Sequence, residues 1–526
     1  MKKSIAVFCA VLMLLGSYAA LAETVNVEGL PILETTQSFT ITAKEPLSGA
    51  PYVAFEDKPV VQRLEKDTNV HVEWTQVPQT SWDERMNIMF ASNYLPDAII
   101  GGVDVATNFY QLTPLDDLID QYAPHVKAWL EEHPEYKKAL TLEDGHIYSL
   151  PIGDEAYTNV FTNVMWINTQ WLKNLGLEKP TTTEEFYQVL KAFKEQDANG
   201  DGDPTNEIPF SFCGMKDYGN SAKYFFGAWG LIHNGSYCMV KGDKVIFPYA
   251  EEKFFNALQY MNKLYQEGLL DQEAFTQSND QYLAKGATGD NLGVIYAWSP
   301  NLVAKSDPEL WKAYEELILE GPDHDKLINR SYTMGQTEGF VITNKCQSPE
   351  VLLRWYDYMN SSMELALEIG RGEENVYWHW VDKDAQTFMF TYENVSADQP
   401  HSIYRAMKTF AGVTPALWHI EYLDHEVENP NAGFTNVMLK TNAVTNMLPY
   451  SEYTELPKGY ANEENLENRA ILLADISNYI DRFIADAVMN GIDEAKWQKH
   501  LEQVSALHVD EYIGLCQEFV DAMNAR

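Results

Sequence analysis

The spacing of apolar residues switches repeatedly between a period of two and a helical period. "SFTITAK" at 38–44 alternates like a strand, and a Gly/Pro turn follows in "PLSGAPYVAF". "KPVVQRLEKDTNV" then carries Val61, Leu64 and Val70 at helical spacing, and "VHVEWTQV" alternates again. "SWDERMNIMFASNYLPDAIIGG" predicts a helix opened by Ser81 as N-cap with Glu84 three residues on. It ends near Asn93 and Pro96 and leads into a buried strand that stops at Gly101 and Gly102. This strand–helix rhythm predicts an α/β fold with a parallel sheet, whose ligands sit at the carboxyl ends of the strands.

Further along, "IYSLP", "VFTNVMWIN", "IPFSF", "LGVIYAWSP" and "GFVITN" predict strands. "TQWLKNLGL" predicts a short helix stopped by Gly176. "PTTTEEFYQVLKAFKEQ" predicts a capped amphipathic helix with Phe186, Leu190 and Phe193 on one face. "EEKFFNALQYMNKLYQEGLL", ended by Gly268, and "SPEVLLRWYDYMNSS" add two more. The last 60 or so residues are helical, with a stripe through Leu466, Ala470, Leu473, Ile480, Phe483 and Ala487, and another through Ile513, Cys516 and Phe519. Both stripes are expected to be core.

A length of 526 residues implies two folding units, because single cores stop growing at about 250–300 residues. Hydrophobic content of 45% is enough to bury a real core. With 38 basic against 77 acidic side chains the net charge is −39, which disfavours nucleic acid and anionic membrane surfaces and favours neutral ligands or cations. The first 22 residues combine Lys2 and Lys3, an apolar run from Ile5 to Leu15, and small residues at Ala20 and Ala22. They predict a secretory signal peptide cleaved after Ala22 and therefore an exported protein, with an uncleaved N-terminal anchor as the competing reading. No cysteine stands just beyond the cleavage point, so a lipid anchor there is not expected. Cys213, Cys238, Cys346 and Cys516 remain, with disulfides and buried free thiols both open; Cys213 and Cys238 are the nearest pair in sequence.

The stretch "DANGDGDPTNE" at 197–207 crowds carboxylates around two glycines. Counting Asp197 as position one places Asn199 at three, Asp201 at five, Gly202 at six and Asp203 at seven, with Glu207 at eleven. Oxygen ligands at alternate positions, a glycine at the sharp turn and a closing Glu are what a calcium loop needs. The flanks predict helix–loop–strand, and Glu207 closes one residue earlier than in an EF-hand. A solvated acidic turn is the competing reading. Without a cation, carboxylates this close repel one another.

No HExxH, GxSxG, CxxC, Walker or GxGxxG pattern occurs in the mature chain. The aromatic content instead suggests sugar binding, since a flat ring packs on the C–H face of a pyranose while polar neighbours bond its hydroxyls. Loop-placed or strand-end aromatics are the candidates: Trp82, Trp229, Tyr296, Trp298 and Trp418, each with core packing as its competing reading.

Four stretches in this order carry a family resemblance: "LEKDTNVHVEWTQVPQTSWDERMNIMFASNYLPDAIIGG", "MWINTQWLKNLGLEKPTTTEEFYQVLKAFKEQDANGDGDPTNEIPF", "GFVITNKCQSPEVLLRWYDYMNSS" and the helical C-terminus. Together they resemble the extracellular solute-binding proteins of family 1, the carbohydrate-type receptors of ABC importers. Within it the chain is similar to the large Gram-positive lipoprotein type, which often carries a calcium-loop insertion and a segment like "GEENVYWHWVDKD". The resemblance implies a two-lobed periplasmic-binding-protein-like fold of type II, with ligand captured by hinge closure. It places residues 23–155 and 335–390 in the first lobe, and 156–334 and 391–526 in the second. It makes Tyr296 and Trp298 stacking candidates. Glu338, near the return crossing, becomes a candidate to bond a sugar hydroxyl, with a surface Glu as the competing reading.

The implied function is a monomeric, non-enzymatic receptor that hands an oligosaccharide to the permease subunits of an ABC importer. A receptor for a peptide or quaternary amine is the first alternative. A secreted carbohydrate-active enzyme is the second.

Overall fold

The strand Gln37–Lys44 pairs in parallel with Val70–Val77 along its whole length, and on its other side with Ala98–Ile100. The intervening helix, Pro59–Thr68, starts on a proline whose missing N–H would have been unpaired anyway. It stops where Asn69 turns left-handed at φ 57°. Val60, Val61 and Leu64 form its buried face. The helix Trp82–Ser92 forms as expected, but Ser81 does not cap it. A 3-10 turn runs straight into the helix and holds Ser81 at ψ 7°, away from the extended geometry a capping hydroxyl needs, and its Oγ bonds Pro78 O instead.

The structure, a computed structural model, describes residues 25–46, 50–155, 157–215, 220–391, 401–427, 429, 436–460 and 462–525. The expected signal peptide, residues 1–22, lies outside them, as do Leu47, Ser48 and Gly49 of the expected Gly/Pro turn. Among the described residues no helix is long and apolar enough to cross a membrane.

Two sheets organise the two lobes. The first has the order Leu417–Trp418, Ser149–Asp154, Gln336–Ile342, Ala98–Ile100, Gln37–Lys44, Val70–Val77. The second runs Tyr314–Glu316, Val164–Asn168, Leu292–Ala297, Ile208–Ser211. Both are mixed, which corrects the expectation of parallel-sheet lobes. Gln336–Ile342 returns from the second lobe and enters the first sheet from the opposite end, so it lies antiparallel to both neighbours. In the second sheet only Ile208–Ser211 and Leu292–Ala297 are parallel.

Each lobe has its own core. Ile41, Ile100, Leu150, Phe340, Leu352 and Leu417 belong to the first; Ile167, Phe193, Phe210, Leu258, Ile480 and Cys516 belong to the second. The boundary expected at residue 391 shifts, because Phe410, Val413, Ala416 and Leu417 pack in the first core and Leu417–Trp418 extends its sheet. The chain passes to the second lobe between Asp154 and Val164, and back between Asn329 and Gln336. Ile328–Asn329 pairs with Ser451–Glu452, tying the return passage to a later segment.

The C-terminal helices Glu463–Asn490, Glu494–Ala506 and Val509–Ala525 cover the second lobe. The stripe of the first of them is core only from Ile476 onward. Leu466 is exposed, because the helix packs on Glu252–Gln266 through Ile476, Ile480, Ile484, Ala487 and Val488 further along. All four cysteines are buried free thiols, and the neighbour of Cys238 is Cys516 of the last helix rather than Cys213.

Candidate functional site

Asp154 ends its strand at the point where the chain leaves the first sheet. The neighbouring edge strand places Trp418 directly opposite it in register. Arg371, last residue of the helix Met363–Arg371, reaches Asp154 Oδ2 with Nη1 at 3.1 Å, and Arg405 Nη2 approaches the same oxygen at 3.9 Å. The Arg371 guanidinium also lies 4.7 Å from the Trp418 ring centre. Phe388 and Tyr422 meet that ring edge-on at 6.0 and 5.1 Å, so its orientation is fixed.

Burial pushes the Asp154 carboxyl up, but Arg371 and Arg405 outweigh it and hold the group below the usual carboxylate range. Burial in turn brings Arg405 down to about 9, with Arg371 adding to the effect and Asp154 opposing it. Arg405 Nε donates to Gly370 O at 2.7 Å, which fixes the side chain.

These groups form one wall of a cavity of about 870 Å³. The first passage contributes Tyr157 and Thr158, and the second-lobe helix Asn436–Met447 contributes Val437, Met438, Thr441 and Asn442. The cavity therefore lies between the lobes. Its charged lining is Asp154, Glu421, Asp424 and Glu426 against Arg371 and Arg405, an acidic excess.

Of the aromatics singled out from the sequence, Trp418 lines this cavity, though it is only 4% exposed and packs in a small core with Met363, Leu367, Trp378 and Phe388. Trp298 does not line the cavity; it is half-buried, with Nε1 donating to Asn159 Oδ1 at 3.0 Å and Lys440 Nζ 5.5 Å from its ring. The other three are core residues, which corrects their expected place in the cleft. Trp82 is buried under Gly101, and its Nε1 bonds Gly102 O at 2.7 Å. Trp229 closes the 3-10 turn Phe225–Trp229 and packs on Tyr260 at 5.4 Å. Tyr296 belongs to a strand buried on both faces and packs on Phe210.

Glu338 does not line the cavity. It lies beside Tyr460, Asp104 and Lys458, and burial together with Asp104 raises it to about 7 against the pull of Tyr460 and Lys458. Asp154, Arg371 and Arg405 were missed from the sequence, where each is one charge among many.

The acidic loop joins the helix Thr183–Glu195 to the strand Ile208–Ser211, the expected helix–loop–strand. Asp197 accepts from Gly200 N at 2.8 Å and Gly202 N at 2.9 Å, and Gly202 takes φ 93°, the conformation that position six demands. Asp201 accepts from Asp203 N and Asn206 Nδ2, Asp203 accepts from Thr205, and Asn199 Oδ1 accepts from Asp201 N. Glu207 Oε1 accepts from Ala198 N, but its Oε2 is buried without a hydrogen-bond partner. An orphaned carboxylate oxygen in a set of hard oxygen donors fits calcium.

A second group, Glu155, His419 and Glu421, brings one ligand atom each within 4.8 Å of one another. Glu155 is already engaged by the Tyr136 hydroxyl and Ile420 N.

The chain belongs to the bacterial extracellular solute-binding protein family, whose model matches residues 49–364. It is accordingly a binding protein of the type II two-lobed fold rather than an enzyme. It is 32% identical over 519 residues to the fructooligosaccharide ABC transporter substrate-binding protein FusA of Streptococcus pneumoniae serotype 4 (strain ATCC BAA-334 / TIGR4), a match covering 94% of this chain and 92% of FusA. The structure of FusA in complex with kestose matches with a TM-score of 0.73 at 28% identity, over 93% of this chain and 100% of that one. An EF-hand mutant of FusA in complex with fructo-nystose matches equally well. An extracellular solute-binding protein from Bifidobacterium longum subsp. infantis, at 20% identity over 93% and 98% of the two chains, shares the fold with a TM-score of 0.80.

Proposed function

We propose that this chain is an exported receptor that captures a neutral oligosaccharide in the interlobe cavity and delivers it to the permease subunits of an ABC importer. The observation that carries this reading is the wall formed by Asp154, Arg371 and Trp418: charged hydrogen-bonding groups held on a largely buried aromatic ring, lining an interlobe cavity of about 870 Å³. The acidic excess of the lining, within a chain of net charge −39, disfavours acidic sugars. Similarity to FusA over nearly the whole chain supports a neutral oligosaccharide. A quaternary amine fits less well, because Arg371 already occupies a place over Trp418 that an aromatic cage would offer to the ligand.

In this reading Asp197, Asn199, Asp201, Asp203 and Glu207 hold a structural calcium ion that ties the helix end to the next strand. The receptor acts as a monomer, and the basic and apolar start of the sequence directs its export.

Thermal unfolding of the mature protein in excess calcium, scanned against neutral and acidic oligosaccharides, peptides and choline-like cations, tests the proposal. Ligand at about 100 times its Kd adds about 2.7 kcal/mol, an easily read upward shift. A shift with a neutral glycan class is expected. A shift confined to peptides or amines would discard the sugar assignment.

A further inference from the structure

We infer that the binding cleft continues past Asp154 into a second chamber that takes the far end of the ligand, so that the preferred substrate is an oligosaccharide long enough to occupy both. This rests on the oligosaccharide reading above. The second chamber has a volume of about 400 Å³, itself within the range of about 300–1,000 Å³ that small-molecule sites occupy.

Three observations join the two spaces. Asp154 lines both of them. The first passage between the lobes serves both in succession, with Tyr157 and Thr158 on the first cavity and Asn159 and Thr162 on the second. Trp298, which lines neither space, connects their walls: its Nε1 donates to Asn159 of the second, while Lys440, from the helix that lines the first, lies over its ring.

The walls of the second chamber suit sugar hydroxyls. Thr162, Ser331, Thr333 and Gln336 offer hydroxyl and amide groups that both donate and accept. Tyr224 and Tyr332 supply aromatic surface, and Tyr332 is stacked on Tyr453 at 4.6 Å and 19°, which fixes its ring. The positive charges of Lys223 and Lys458 are set against Asp154 and Glu455, so the chamber is balanced in charge and offers no net attraction to an acidic sugar. Both lobes contribute, with Ile152 and Gly153 on one side and Lys223 and Tyr224 on the other. Sugar bound there favours the closed arrangement along with sugar in the first cavity.

Calorimetric titration of the full mature protein with kestose and successively longer neutral fructooligosaccharides tests the inference, alongside Ser331→Tyr, which fills the chamber, and Thr333→Val, which removes one hydroxyl at nearly constant volume. Affinity is expected to rise about tenfold between kestose and the first chain long enough to enter the chamber. Ser331→Tyr should abolish that gain and Thr333→Val reduce it, with melting curves checking that each variant is folded. Affinity that stays flat along the series, or a gain untouched by Thr333→Val, would overturn the second chamber and leave the first cavity standing as the site. If no member of the series binds, the oligosaccharide reading falls and this inference with it.

Discussion

Asp154 and Arg371 meet at 3.1 Å where the chain leaves the first sheet for the second lobe. The pair links three things: the end of a core strand, the end of the helix Met363–Arg371, and through Arg371 the ring of Trp418. Because Asp154 lies at the first passage, the site wall and the hinge share a residue. Ligand that bonds this wall and reaches the helix Asn436–Met447 bridges the two lobes directly.

Removing this acid takes away the carboxylate bonded to Arg371 and nearest to Arg405, leaving Glu426 as the remaining carboxylate that acts on Arg371. Asp154→Asn is expected to lower stability by about 1–3 kcal/mol, a moderate figure because the site is partly open to solvent. It should also weaken ligand binding. Denaturant melts and titration of the same preparation read the two effects separately.

Trp229 and Trp82 are as buried as Trp418 but, unlike it, line no part of the interlobe cavity. Trp229→Ala is expected to cost about 3–5 kcal/mol of stability through the cavity it leaves against Tyr260, while the folded fraction keeps its ligand affinity. Binding measured below the lowered melting temperature distinguishes this from a contact role.

Chelation tests the acidic loop. The melting temperature of the untreated protein should fall on adding EGTA and recover with calcium but not with an equal concentration of magnesium, which gives up its own waters reluctantly. Asp197→Ala should remove the calcium response, since Asp197 also holds Gly200 and Gly202 in place. A melting curve indifferent to EGTA would leave the loop as a solvated turn.

The half-buried Glu338 and the buried His500 make opposite contributions to pH dependence. Glu338 rises from its ordinary 4.5 to about 7 through burial and Asp104, so the folded chain holds its proton longer than the unfolded one. Its contribution is complete below pH 4.5 and is lost as pH rises to 7. Glu338→Gln should therefore stabilise above pH 7, on the order of 1 kcal/mol, and give no gain near pH 4.5. His500 falls from 6.5 to about 4 through burial, opposed by its bond to Tyr249 O, so its contribution is present above pH 6.5 and is lost as pH falls to 4. His500→Gln should flatten that acid limb in melts taken from pH 4 to 7.

The sequence carried the local structure well where the signals were local. The helix Thr183–Glu195 forms with the reciprocal Thr182–Glu185 cap, and the loop after it turns at its glycines as its spacing requires. The mixed sheets were not legible, because strand direction depends on which end of a sheet a returning chain enters. Nor was the site wall: Asp154, Arg371, Arg405 and Trp418 come together only through tertiary packing, and nothing within a few residues of any of them marks it. Trp229 misled because "FGAWG" looks like a loop, yet the loop is a 3-10 turn packed on the helix Glu252–Gln266. Trp418 was reached by its residue type, and its place in the cavity depends on an edge strand of only two residues.

The most direct measurement is calorimetric titration of the wild type and Trp418→Leu with kestose, and with a galacturonate oligomer as the acidic control. One-site binding of kestose, weakened about tenfold in the variant, and no binding of the acidic oligomer are predicted. Equal affinity in wild type and variant, or preference for the acidic oligomer, would contradict the assignment of this wall as a neutral-sugar site.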